Sequence, residues 1–197
     1  MNAPMASIQE KKDLILKYEE SFADGVAVSV IDKPKLSTWM ILIPIIFIHY
    51  FYRLKKFTDG RKEFAGHFIL TRKRALEEAA ASLESGARPD VEAIVNMSSA
   101  PEQTHAAYRE WVRVLLDHYL DLLRSKGDSF EALVRSTYNT RANYLLFINH
   151  LNRVENQFNA ALKPFLVEST QGVDSIVKDI EQRCGELRRG DAERIFQ

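Results

Sequence analysis

The sequence predicts an all-α protein: an antiparallel helical bundle of about four to five helices, preceded by one very apolar helix and a short N-terminal amphipathic helix. Three observations carry that reading. Apolar residues recur at helical spacing through nearly everything after residue 58. The connections between these stretches are short, which favours antiparallel neighbours. Only Val26–Ile31 alternates like a strand, and no second convincing strand exists to pair with it. With 197 residues, 46% hydrophobic and 10% aromatic, the chain can bury a sizeable core. A lone Cys184 excludes a disulfide-stapled module. Three regions result: 1–35, an N-terminal amphipathic helix and linker; 36–57, an apolar membrane-anchor segment with a basic C-terminal flank; and 58–197, the helical bundle.

Taken in order, Ser7-Ile-Gln-Glu10 reads as a capping box, and Ile8, Ile15, Tyr18 and Phe22 share a face before Asp24-Gly25. A helix over about 7–24 follows, with Val26–Ile31 as extended linker. Phe64, Phe68, Leu76, Ala79, Ala80 and Leu83 predict a helix over about 60–85, stopped at Ser85-Gly86. Pro89-Asp90 opens a short turn of helix carrying Val91, Ile94 and Val95. Ser99-Ala-Pro-Glu102 is a second capping box, and the helix it starts should run to about Lys126 on a face of Tyr108, Trp111, Leu115, Tyr119 and Leu122. From Phe130 to Pro164 the spacing predicts one long helix of up to about 36 residues, or two in tandem with a kink. A last helix spans about 170–189, with Gly190 just beyond.

The 27 basic and 27 acidic side chains cancel, but unevenly. Residues 36–75 hold eight basic and two acidic groups, a net of +6, and all eight basic ones lie between Arg53 and Arg74. Immediately before them, Leu36–Tyr52 is seventeen residues without a formal charge. As a helix it would reach roughly 25 Å, just short of a bilayer's hydrocarbon core. Trp39 near one end and Tyr50 and Tyr52 near the other fit headgroup positions, and Ile41, Leu42, Ile43, Pro44, Ile45, Ile46, Phe47 and Ile48 would form the anchor. Arg53, Lys55, Lys56, Arg61, Lys62, Arg72, Lys73 and Arg74 would then contact anionic lipid. The reading that follows is a single span, residues 1–35 on the far side and the C-terminal bundle in the cytoplasm. Two others stay open: a re-entrant anchor bent at Pro44, and a buried central helix of a soluble bundle.

Chemistry-bearing motifs are sparse. Glu102-Gln-Thr-His105 is one Glu-x-x-His pair, but no second exists, so a carboxylate-bridged metal site lacks half its ligands. Asp117, His118 and Asp121 read as a solvated helix edge, and Cys184 as a small buried residue. No phosphate loop or nucleophile elbow occurs, so no catalytic site, metal or cofactor is assigned. Zero net charge argues against nucleic acid as a partner. Asn149, Asn152, Asn156 and Asn159 form a polar stripe that reads either as a solvent-facing row or as a seam for a partner helix. The function expected is thus a membrane-anchored helical interaction or scaffold protein, its partner a protein or a second copy. The alternative is a soluble helical enzyme or ligand-binding protein with 39–52 as a buried central helix.

Overall fold

A computed structural model describes residues 6–31, 60–166 and 173–197. Its elements are α1 (Ile8–Ile31), α2 (Gly60–Ser85), α3 (Val91–Asn96), α4 (His105–Arg124), α5 (Phe130–Tyr138), α6 (Arg141–Leu166) and α7 (Val173–Ile195), with a 3-10 turn at Glu102–Thr104. Among the described residues there is no strand, and the all-α bundle is the fold.

Five long helices pack in a closed cyclic order, α1 on α2, α2 on α4, α4 on α6, α6 on α7, and α7 back on α1. Side-chain pairs fix the directions. Glu19 meets Arg72 while Phe22 meets Phe68, so α1 and α2 run antiparallel. His118 stacks on Phe147 while Trp111 stacks on Phe158, so α4 and α6 do too. Residues 86–104 carry the chain back along α2, which leaves α2 and α4 parallel. There Asp90 caps α3 through Ala93 N, and Arg109 clamps Glu92.

The core has two parts. The larger is centred on Tyr108, Leu115, Tyr119, Leu122, Leu133 and Ile148, all essentially inaccessible. The smaller joins Phe22, Val26, Phe68, Ile69 and Cys184, from α1, α2 and α7 alone.

The Ser7 capping box forms as expected: Ser7 N donates to Glu10 Oε2 at 2.7 Å, and Glu10 N donates to Ser7 Oγ at 3.2 Å. The helix does not stop at Gly25. Burial of Val26 and Ala27 against α2 carries it on to Ile31, so tertiary packing overrides the strand-like alternation. Gly25 is used instead for approach: a Cβ there would lie 3.3 Å from Leu187 Cδ1 on α7. The second capping box does not form; Pro101 precedes a 3-10 turn without a side-chain cap. The Phe130–Pro164 pattern is two helices, broken where Asn139 takes φ of 61°. α7 continues through Gly190 because Ala192 and Ile195 are buried beyond it.

The expected membrane placement is corrected. Among the described residues no helix is long and apolar enough to cross a membrane. A single crossing would also put α1 opposite the bundle, whereas α1 buries Ile15, Phe22 and Val26 within it, against α2 and α7. Trp39, Ile41–Ile48, Tyr50, Tyr52, Arg53, Lys55 and Lys56 lie outside the described residues.

Candidate functional site

Four charged residues sit on apolar stripes, where a charge is costly to bury alone. Glu19 follows Ile15 and precedes Phe22 on α1; Arg72 lies between Phe68 and Ala75 on α2; Glu155 between Leu151 and Phe158 on α6; Arg188 after Cys184 on α7. The fold brings all four together. Arg72 is 2% exposed, Arg188 4%, Glu19 5% and Glu155 7%.

Glu155 is the hub. One oxygen accepts from Arg72 Nη2 at 2.7 Å and the other from Arg188 Nη2 at 2.6 Å. Arg188 also donates to the Asn152 side chain. Arg72 Nη1 lies 3.5 Å from Glu19 Oε2, and Tyr119 of α4 donates to Glu19 Oε1 at 2.7 Å. Every helix of the ring therefore contributes a group to one buried layer. Aromatic faces complete it: the Arg72 guanidinium lies 5.5 Å from the Phe22 ring, 5.3 Å from Phe68 and 5.9 Å from Trp111. Glu19 Oε2, Arg72 Nε and Trp111 Nε1 are buried without a hydrogen-bond partner, so charge and ring contacts supplement an incomplete hydrogen-bond network.

Electrostatics follow from this pairing. Burial opposes the charge on Glu155, but Arg188 and Arg72 outweigh it and hold its carboxyl below the ordinary range. Burial likewise opposes the Arg72 charge, and Glu155 and Glu19 more than restore it. Glu155 and Arg72 thus hold each other in their charged forms. Burial pushes the Cys184 thiol up to about 12, so it is a thiol at neutral pH.

His118 was expected on a solvated edge and is instead 6% exposed, sharing a 2.6 Å hydrogen bond with Tyr138 and stacked on Phe147. Burial, with Arg72 and Arg188 adding to it, lowers its pKa to about 3, which makes it neutral. Asp117 and Asp121 do lie on the surface. Among the described residues no cluster of His, Cys, Asp or Glu could hold a metal ion.

The expected lipid-contact residues part company. Arg72 belongs to the core; Lys73 is exposed; Arg74 is half-buried. Arg61 and Lys62 fall within α2, in a stretch whose side chains are not described. The asparagine stripe also divides. Asn152 meets Arg188 and Asn159 donates to Glu181 at 3.1 Å, so α7 occupies those two. Asn149 and Asn156 remain exposed, in a row with Ala142, Leu146, Arg153 and Ala160 along the outer face of α6. The steps of four and three match the spacing with which helices meet helices.

This row differs chemically from its neighbours. Exposed carboxylates mark α1 (Glu10, Asp13, Glu20, Asp24), α2 (Glu77, Glu84), α4 (Glu110, Asp117, Asp121) and α7 (Glu186, Glu193). The single acid of α6 is the buried Glu155, while Leu146, toward the row's N-terminal end, is 68% exposed.

Sequence periodicity found α6 but missed the buried layer. The signal was present: a charge at a stripe position on each of four helices. No family model, curated protein or solved structure matches this chain.

Proposed function

We propose that this protein is a helical interaction module that binds an acidic amphipathic helix of a partner protein along the outer face of α6. The observation that carries this reading is the row Ala142, Leu146, Asn149, Arg153, Asn156 and Ala160, exposed, helically spaced and free of carboxylates. The two alanines permit close approach, Leu146 supplies an apolar anchor, and Asn149 and Asn156 supply amides that fix register. Arg153, now hydrogen-bonded to His150 Nδ1 at 2.7 Å, offers the charge that selects a carboxylate.

A photo-crosslinking residue at Leu146, compared with one at Glu110 on α4, tests the reading in cells. The protein captured at Leu146 is then purified and titrated against the whole chain. Arg153→Glu should weaken binding by roughly tenfold or more at low salt, and a lysine placed at the matching partner carboxylate should restore it. Equal capture at both positions, capture only of a second copy, or unchanged affinity in Arg153→Glu and Leu146→Asp would overturn it.

A further inference from the structure

We infer that α7 is a strap that detaches from the bundle as a unit, uncovering the groove between α1 and α6 while the rest of the ring stays folded. The inference rests on how α7 is held and is independent of what binds the outer face of α6.

The buried apolar side chains described on α7 are small or scattered: Val177, Cys184, Ala192 and Ile195. α4, by contrast, buries Trp111, Tyr108, Tyr119 and a continuous set of leucines and valines. Among its described residues α7 adds to its own buried side chains, and to the partly buried Ile180 and Leu187, a series of polar contacts along its length. Glu181 accepts from Asn159, Arg188 grips Glu155 and Asn152, and Asp191 accepts from Tyr18 at 2.6 Å. Glu193 pairs with Arg141 at 3.0 Å, and Arg194 bridges Glu131 and Asp191.

This mode of attachment has a particular energetic character. Apolar burial is lost outright when a helix leaves, whereas polar groups recover most of their energy from water. Rehydration of Arg188 returns part of the desolvation cost of the buried layer, and Glu155 keeps Arg72 as its partner. Opening of α7 is therefore cheaper than opening of α4. The groove so exposed presents Asn152, Asn159 and Glu155, which adds the hidden half of the asparagine stripe to α6's accessible surface.

Native-state hydrogen exchange on the whole chain tests this, with low urea to separate local from larger openings. The α7 amides should share one opening equilibrium, with roughly 100-fold less protection than the best-protected amides of α4. Val112→Ala, a mild cavity in α4, then discriminates. It should speed α4 exchange by roughly tenfold or more while leaving α7 within about threefold, because α7 detaches without unfolding α4. Common protection for the two helices, or equal acceleration of both by Val112→Ala, would overturn the inference. Should Val112→Ala perturb the fold, Ala79→Gly in α2 makes the same comparison.

Discussion

Glu155 shows how one residue's environment decides its consequence. Its carboxylate is shared by two buried guanidiniums, so Glu155→Gln leaves both with too little negative charge. A loss of about 3–5 kcal/mol in urea unfolding is expected, far above a typical surface change. His118 sets a pH dependence of definite sign. Its folded pKa of about 3 lies below the ordinary value of 6.5, so the unfolded chain binds more protons between those limits. Its contribution to stability is therefore complete above about pH 6.5 and is lost as pH falls toward 3. Glu155, also lowered, acts in the same direction at the acid end. Replacing His118 with Asn should flatten the slope of unfolding free energy between pH 4 and 6, measured at several pH values by urea titration.

For the helices, the spacing of apolar residues located α2, α3 and α4 closely, because one-sided burial imposes its period on the sequence. It was less informative about where helices end. Gly25 and Gly190 look like stops but lie inside α1 and α7, since packing beyond each repays the weak residue. Asn139 looked like nothing in particular yet breaks the tandem α5 and α6 through a positive φ. The glycines make a testable contrast. Gly66 on α2 and Gly190 on α7 would place a Cβ in open space, so Gly66→Ala and Gly190→Ala should each stabilise by about 0.5–1 kcal/mol. At Gly127 a Cβ would lie 2.7 Å from Leu133 N, so Gly127→Ala should lower the thermal midpoint.

Across the whole molecule, the fold class was legible in the sequence and the candidate site only in part. Hydrophobic periodicity reports which face is buried, not which helix covers it, so the stripe at Asn149, Asn152, Asn156 and Asn159 could not be divided between α7 and solvent. Charge segregation misled for a related reason. Arg72 stands in the basic run near Arg74, but Phe68 and Ala75 on its own face put it in the core. A charge occupying an apolar stripe position is the informative pattern, and it occurs on α1, α2, α6 and α7. Those four helices and Tyr119 of α4 meet in a layer that holds the ring closed and so fixes α6 with its carboxylate-free face outward.

That layer is the premise on which the structural account depends, and the ionisation of Glu155 reports on it directly. The side-chain carboxyl carbon of Glu155, followed by NMR as pH is lowered on the folded protein, should titrate with its midpoint below 4.5, the ordinary glutamate value. Titration at or above pH 4.5 would mean that Arg72 and Arg188 do not converge on this carboxylate, and the central layer described for the bundle would be wrong.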